Sequence, residues 1–168
     1  MKCPDCGHDN LAGVDHCAEC GGSLVRESLP QPKRGLQRAI METRLKDLEP
    51  ETAITVPPSE TTANVVRRMR DSRHGSVLVL EGGRLVGIFT ERDIVNRLTG
   101  KPRDLERLPI SEVMTRDPKA LSDDHTVAFA MHRMAIGNYR HVPVLAKGQP
   151  PRFVSVRGVL KFLHERAR

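Results

Sequence analysis

The chain has 168 residues, of which 38% are apolar and 29% charged, and this balance favours a folded core over disorder. Aromatic residues make up only 3%, so the stacking platforms that bind single-stranded nucleic acid are nearly absent. The net charge of +6 resides in residues 101–168, where 13 Lys and Arg stand against 7 Asp and Glu. This third of the chain is expected either to attract an anion or to form a solvated basic surface.

The sequence predicts neither a membrane-spanning nor a secretory segment. No stretch approaches the roughly 20 consecutive apolar residues that a membrane-spanning helix needs. Lys2 is followed by cysteines and carboxylates rather than by the apolar run of a signal peptide. We therefore expect the protein to reside in the cytoplasm.

All four cysteines fall within the first twenty residues, in the two CxxC pairs of CPDCG and CAECG. Two such pairs separated by ten residues supply the four thiolates of a tetrahedral zinc site. Disulfides are disfavoured in a chain without an export signal, and four thiolates leave no open coordination position for catalysis. We predict a structural zinc ion with four ligands, Cys3, Cys6, Cys17 and Cys20, while His8 and His16 are spare loop residues.

The stretch KCPDCGHDNLAGVDHCAECGGSL resembles the short zinc ribbons of many bacterial and archaeal proteins. The resemblance implies two hairpin knuckles that a metal ion holds together without performing chemistry. Residues 1–24 carry one Lys against four carboxylates, and four thiolates around Zn²⁺ leave a further net charge of −2, which opposes phosphate binding. The ribbon is interpreted as a protein-docking element or as a passive appendage.

A linker and an internal repeat follow the ribbon. Residues 25–35 contain two prolines and a terminal glycine without apolar periodicity, which predicts a linker that keeps the ribbon and the remaining chain as separate cores. A shift of 65 residues aligns 45–98 with 110–163 without a gap. Identical pairs on this register include Thr61/Thr126, Met69/Met134, Val77/Val142, Val79/Val144 and Arg92/Arg157.

The first copy is predicted to fold as strand, helix, two strands and helix, after a leading helix over 41–48. Gly82-Gly83 predicts a hairpin turn between two apolar runs. Ser59 is the candidate N-cap of a helix whose one face carries Thr62, Val66 and Met69. The predicted strands are 53–56, 76–80 and 85–90, and a second helix begins over 91–98.

The second copy repeats this order. Its first helix has Asp123 or Asp124 as candidate N-cap, and its apolar residues follow a spacing of i, i+3, i+4 and i+7. Because each copy has only about 60 residues, we expect one sheet to be buried against the other. The predicted strands are 119–121, 142–145 and 153–155, and the last helix covers 156–166.

The order β-α-β-β-α in tandem, with GIFTERDI in the first copy and ISEVMTRDP and RHVPV in the second, resembles a pair of CBS domains. The resemblance covers 36–168 and divides it into CBS domain 1 at 36–100 and CBS domain 2 at 101–168, after the ribbon at 1–24. It implies an α/β fold with the repeats packed as a pseudo-two-fold pair. It also implies a regulatory module that binds AMP, ADP, ATP or S-adenosylmethionine between the copies and forms face-to-face homodimers.

Thr90-Glu91-Arg92-Asp93 lies where a strand turns into a helix, and its spacing predicts a capping box. A carboxylate at this place can also bridge two ribose hydroxyls. The resemblance implies that this Thr and Asp hold the ribose, with two segments of the other copy completing the pocket. The backbone near Lys119 and Ala120 would pair with the adenine edge. Arg140 and His141 would face the phosphates, or alternatively stand at a solvated strand entrance.

The equivalent site of the second copy lacks most of these groups. Ser155 keeps the cap, but Gly158 stands where Asp93 maps. Gly75 and Ser76 occupy the places of Arg140 and His141. We therefore expect one nucleotide per pair of repeats.

The sequence predicts a regulator rather than an enzyme, because nothing places an acid, a base and an electrophile together. One alternative is a nucleic-acid-binding protein, which the ribbon and a pI of 9.5 favour. Another is an interaction module whose nucleotide site has decayed. A homodimer is expected through helical faces, unless their residues are core positions; these are Val66, Met69, Met131 and Met134.

Overall fold

The computed structural model describes residues 1–3, 6–24, 35–48, 50–100 and 102–166, so only Gly35 of the predicted linker is included. The chain divides into two compact units. The ribbon unit comprises Met1–Pro50, Leu121–Ala146 and Val154–Arg168. The repeat-one unit comprises Glu51–Ala120 and Lys147–Phe153. Among the described helices, none has the length and apolar character needed to cross a membrane.

The repeat-one unit contains a four-stranded sheet in the order β2-β3-β4-β5. Strand β2 runs parallel to β3, and the other neighbours are antiparallel. The β3–β4 turn is formed by Gly82 and Gly83 at φ of 56° and 81°, the left-handed conformation that a two-residue hairpin requires and that glycine adopts without strain. The strands are β2 (Thr55–Val56), β3 (Ser76–Glu81), β4 (Arg84–Thr90) and β5 (Thr115–Arg116).

The ribbon unit contains the strands and helices of the second repeat. Strand β6 runs parallel to β7, and β8 follows β7 in the sheet order. The first two residues of β8, Arg152 and Phe153, pair antiparallel with β1 (Glu51–Thr52) and belong to the repeat-one unit. The remaining elements are β6 (Leu121–Ser122), β7 (His141–Leu145), β8 (Arg152–Ser155), α1 (Leu36–Glu42), α4 (Val127–Gly137) and α5 (Val156–Arg166).

The predicted N-caps of the two central helices are wrong. Helix α2 (Thr62–Ser72) is capped by Thr61, whose hydroxyl accepts a hydrogen bond from the Asn64 amide at 3.3 Å. The reason is that a turn closed between Glu60 and Pro57 already contains Ser59. In the second repeat Thr126 caps α4, accepting from the Phe129 amide at 3.2 Å. Asp123 and Asp124 lie within the preceding turn, which a hydrogen bond from His125 to Ser122 closes.

The leading helix also differs from its prediction over 41–48. Helix α1 ends at Glu42, Thr43 is extended, and a 3₁₀ turn follows over Leu45–Leu48. The interruption has a tertiary cause, because the Leu45 amide donates to the His125 carbonyl and the Thr43 carbonyl accepts from the Val127 amide. These bonds hold the segment against the start of α4 instead of within its own helix.

Each repeat is completed by the segment that precedes the other repeat. An isolated antiparallel β-bridge joins Arg44 to Thr126 in the ribbon unit, and another joins Pro109 to Thr61 in the repeat-one unit. The two bridges are equivalent under the 65-residue shift, which relates position 44 to 109 and position 61 to 126. Leu45 and Ile110, which are equivalent under the same shift, are both completely buried in those two cores.

The four residues that suggested a dimer face are mostly core residues. Met69 and Met134 are 4% and 6% exposed. Val66 and Met131 are partly buried and pack against the same two clusters. These residues by themselves therefore do not indicate a dimer.

Because the leading segment of each repeat packs in the core of the other, Leu45→Ala and Ile110→Ala are predicted to weaken different repeats. Each change leaves a cavity at a fully buried site, which costs about 2–5 kcal/mol of unfolding free energy. Leu45→Ala is expected to speed amide hydrogen exchange in α4, and Ile110→Ala is expected to speed it in α2. Exchange measured by mass spectrometry checks both. Faster exchange in α2 for Leu45→Ala, or in α4 for Ile110→Ala, would contradict this assignment of the two leading segments.

Candidate metal centre and ligand site

The four cysteine sulfurs form one cluster, with all Sγ atoms within 4.8 Å of one another. Cys3 and Cys20 are separated by 3.6 Å at Sγ, as are Cys6 and Cys17. A tetrahedral ion with metal–sulfur bonds of about 2.3 Å requires sulfurs about 3.8 Å apart, so the cluster fits one ion and is consistent with a zinc ribbon. His8 and His16 are exposed and do not belong to the cluster.

The two knuckles of the ribbon repeat each other at a distance of fourteen residues. The Gly7 amide donates to the Cys3 carbonyl, and the Gly21 amide donates to the Cys17 carbonyl. Both glycines have positive φ, 76° and 71°, which explains why glycine follows each CxxC pair. The same backbone turn thus delivers two thiolates from each knuckle to one point.

One difference between the knuckles bears on the metal ligands: Asn10 of the first corresponds to Leu24 of the second. The Asn10 side chain is buried, and its Nδ2 donates to Cys17 Sγ at 3.4 Å and to the His8 carbonyl at 3.0 Å. Its Oδ1 accepts from the Ala18 amide at 2.9 Å. One amide therefore ties the first knuckle to a ligand of the second, a role that the sequence analysis missed. The fourteen-residue register could have revealed it.

The thiols differ in acidity because their surroundings differ. Burial raises the pKa of the Cys6 thiol to about 11 and raises the pKa of Cys20 further. Burial acts in the same direction on Cys17, but hydrogen bonds from the Cys20 backbone and the Asn10 side chain outweigh it and lower the pKa to about 6. These hydrogen bonds favour the thiolate form of Cys17, which is the form that binds a metal ion.

The ribbon packs against the second repeat, so the expectation of separate cores is wrong. Three of the cysteines and Leu24 belong to the same buried cluster as Phe129 of α4. The His132 ring is hydrogen-bonded at Nε2 to the Cys20 carbonyl oxygen, at 3.2 Å. The physical reason is size, because two short knuckles cannot bury apolar side chains by themselves. Leu24, which is 5% exposed, finds its apolar neighbours in repeat two.

The predicted capping box is present at the start of helix α3 (Glu91–Asp93). Asp93 is buried, with 7% of the residue exposed, and its Oδ2 accepts from the Thr90 amide at 2.9 Å and the Thr90 hydroxyl at 2.8 Å. Its Oδ1 accepts from the Thr115 hydroxyl at 3.2 Å and pairs with Arg97 Nε at 3.1 Å. The roughly four acceptor positions of the carboxylate are thus engaged. A π-helical turn, frequent at functional sites, follows over Ile94–Leu98.

Arg97 and Thr115 are the neighbours of this carboxylate that the sequence analysis missed. Arg97 Nη1 also donates to the carbonyls of Val113 and Met114, so it fixes the segment leading into β5 beside Asp93. The spacing of Asp93 and Arg97, four residues apart in a helical segment, is the signal that could have identified the pair. Thr115 lies within the ISEVMTRDP motif but carried no such signal.

The other predicted ligand residues are distributed over both units. Lys119 is exposed and Ala120 half-buried, between β5 and β6, in the same unit as Asp93. Arg140 is exposed just before β7, and His141 is the first residue of β7, both in the ribbon unit. Of the six predicted ligand residues, Thr90 and Asp93 are directly hydrogen-bonded to each other. Ligand binding by all six residues stays a prediction.

The second copy keeps the cap without the carboxylate. The Ser155 hydroxyl accepts from the Gly158 amide at 3.0 Å, which reproduces one half of the capping arrangement. Gly158 offers no side chain where Asp93 stands in the first copy. The anchor of the first site therefore has no counterpart here.

The sequence model of the CBS domain family matches residues 40–100 and 110–165, which together make up most of the chain. The protein therefore belongs to the CBS domain family and carries two copies of the domain. These copies correspond to the two β-α-β-β-α repeats that the sequence predicts.

Several proteins are similar to this chain. The CBS domain-containing protein CBSCBSPB5 of Arabidopsis thaliana is 36% identical over 109 residues, covering 64% of this chain, which spans about a fifth of that relative. An uncharacterized 17.7 kDa protein of Acidianus ambivalens is 31% identical over 125 residues, 73% of this chain and 74% of that protein.

Solved structures show the same fold. The CBS-domain protein ATU1752 of Agrobacterium tumefaciens is 29% identical with a TM-score of 0.65, over 71% of this chain and 98% of that one. The CBS domain protein PAE2072 of Pyrobaculum aerophilum, complexed with AMP, is 25% identical with a TM-score of 0.63, over 74% of this chain and 98% of that one. The repeats thus have the mixed α/β fold of CBS domain pairs.

The contacts of Asn10 predict that Asn10→Ala weakens metal binding although Asn10 is not a ligand. The change removes a donor to Cys17 and a bridge between the knuckles, and loss of such supporting contacts reduces metal affinity by about 10- to 100-fold. Competition with a chromophoric chelator measures the affinity for Zn²⁺. Asn96→Ala, the same change at an exposed site, is the control. Equal affinities for both variants would contradict the assigned role.

Proposed function

We propose that this protein is a non-catalytic cytoplasmic regulator whose CBS pair binds one adenine nucleotide, such as AMP, ADP, ATP or S-adenosylmethionine. The observation that carries the proposal is the buried Asp93 carboxylate at the junction of β4 and α3, held by hydroxyl donors on each oxygen. AMP is the ligand of the similar Pyrobaculum protein, which supports the nucleotide class.

The chemistry of Asp93 suits a ribose. Two of its donors are the hydroxyls of Thr90 and Thr115. The vicinal hydroxyls of a ribose are donors of the same kind and can replace them without leaving the buried carboxylate unpaired. The displaced Thr90 hydroxyl would then be available to a phosphate. The backbone near Lys119 and Ala120 would pair with the adenine edge. Arg140, an exposed cation, and His141 would face the phosphates.

The ribbon is proposed to hold a structural Zn²⁺ and to act as a docking element for another protein. Four thiolates of suitable spacing favour zinc, and they fill its coordination sphere. The loop between the knuckles exposes apolar side chains, with Leu11 81% and Val14 36% exposed, and these support a docking surface. One zinc ion per chain is the stoichiometry that this site implies.

The site predicts that Asp93→Ala lowers nucleotide affinity at least about tenfold, because two charge-assisted hydrogen bonds to the ribose are lost. Calorimetric titration with AMP and ATP, below the unfolding temperature of the variant, measures the affinity. Gly158→Ala is the matched control at the equivalent position, where an added Cβ would lie 3.5 Å from Ser155 Oγ, an ordinary contact. Unchanged affinity in Asp93→Ala, or two nucleotides per chain, would overturn the site.

A second substitution tests the placement of the phosphates. Arg140→Ala is expected to weaken binding of ATP more than binding of adenosine, because its guanidinium would contact phosphate alone. The same calorimetric titration, repeated with both ligands, gives the two ratios. An equal loss for adenosine and ATP would place Arg140 outside the phosphate site.

We also propose a homodimer, whose contact residues differ from the four that the sequence suggested. Val95 and Leu160 are equivalent under the 65-residue shift, and they are 65% and 60% exposed on the last helical segment of each repeat. Large apolar side chains exposed at the same place in both repeats favour burial against a second chain. Leu160→Glu is expected to produce a monomer in light scattering at tens of micromolar. Leu11→Glu is the control at an exposed apolar residue of the ribbon, and a monomeric wild type would refute the dimer.

A further inference from the structure

One histidine of the second repeat is hydrogen-bonded to the ribbon. His132 Nε2 lies 3.2 Å from the Cys20 carbonyl oxygen, and because a carbonyl only accepts, the ring nitrogen carries the hydrogen and donates it. Cys20 is one of the four clustered cysteines, so this bond holds the backbone of a candidate metal ligand against repeat two.

An apolar contact accompanies this polar one. Leu24 of the ribbon lies in the same buried cluster as Phe129 of α4, which is 3% exposed. His125 packs on Phe129 with ring centroids 4.6 Å apart. The three repeat-two residues at 125, 129 and 132 have the spacing of neighbouring turns on one side of a helix, and together they are called the α4 stripe. The ribbon packs against this stripe through the buried cluster and the bond to His132.

The first repeat has no such stripe. The residues equivalent to His125, Phe129 and His132 are Glu60, Asn64 and Arg67. Arg67 instead forms an exposed ion pair with Glu106, with N and O 2.8 Å apart. Since the two repeats share their caps, strands and leading segments, this difference is specific to the ribbon-bearing repeat. It marks the α4 stripe as a surface suited to the ribbon rather than as a general feature of the fold.

We propose that the metal-loaded ribbon is an intramolecular clamp on repeat two, so that metal occupancy and the stability of the α4 region are thermodynamically linked. The ion would fix the backbone of the knuckles, so that the Cys20 carbonyl meets His132 and Leu24 reaches the buried cluster with Phe129. Without the ion, the knuckles lose that fixed conformation and the clamp loosens. The proposal rests on the proposed structural metal ion and is independent of nucleotide binding. Linkage is reciprocal, so the contact with His132 must also favour metal binding by the factor with which the metal favours docking.

The first test compares hydrogen exchange of the full chain loaded with Zn²⁺ and after treatment with a chelator and a reductant. Amides of α4, residues 127–137, are expected to exchange at least about tenfold faster after chelation. Amides of α2, residues 62–72, are the internal control and are expected to change less than about twofold. Unchanged α4 protection would overturn the clamp, and equal loosening of α2 would overturn its restriction to repeat two.

The second test measures the reciprocal effect. His132→Ala removes one hydrogen bond outside the coordination sphere and is expected to lower Zn²⁺ affinity by about two- to tenfold in chelator competition. Alanine favours helix, so α4 itself is not weakened by propensity. Arg67→Ala, the equivalent change in repeat one, is expected to leave Zn²⁺ affinity unchanged. An unaltered affinity in His132→Ala, or an equal loss in Arg67→Ala, would overturn the proposal.

Discussion

The fold depends on an exchange of leading segments between two copies of one sequence pattern. The backbone bridge between Arg44 and Thr126 has its counterpart between Pro109 and Thr61, and each bridge places one fully buried side chain, Leu45 or Ile110, in a core. A repeat of about 60 residues buries only about 60% of the surface that its unfolded chain exposes, so it is marginally stable by itself. Because part of each core comes from the segment that leads into the other repeat, each repeat depends on the other for a fully buried core residue.

The internal repeats of the sequence explain where the candidate functional groups lie. In the ribbon, a turn repeated after fourteen residues presents the thiolates, and only one knuckle has Asn10, whose amide supports Cys17. In the CBS pair, both copies cap the last helix, but only the first supplies the Asp93 carboxylate. In both cases the repeated backbone gives the geometry, and side chains that differ between the copies give one of them its particular contacts.

The ribbon and the ligand site make different physical demands on the same fold. The metal cluster needs low solvent exposure, which it obtains partly by packing against α4. It also needs donors to sulfur, which Asn10 and Gly22 of the ribbon supply. The buried Asp93 carboxylate needs donors of its own, and the hydroxyls of Thr90 and Thr115 supply two of them. Arg97 pairs with the same carboxylate and also holds the segment before β5. The Asp93 carboxylate thus helps to fix a segment that links the two repeats along the chain.

The sequence by itself determined the short-range features: the four clustered thiolates, the Gly82-Gly83 hairpin, the Thr90–Asp93 capping box, the last helix over Val156–Arg166 and the tandem CBS repeat. These follow from residue types at fixed, small spacings, which the local backbone converts directly into geometry. Only the tertiary structure decided the end of α1 before Thr43, the partners of Arg97 and the packing of the ribbon on α4. Each of these depends on hydrogen bonds to a distant segment or on burial against one, and local sequence periodicity does not identify that segment.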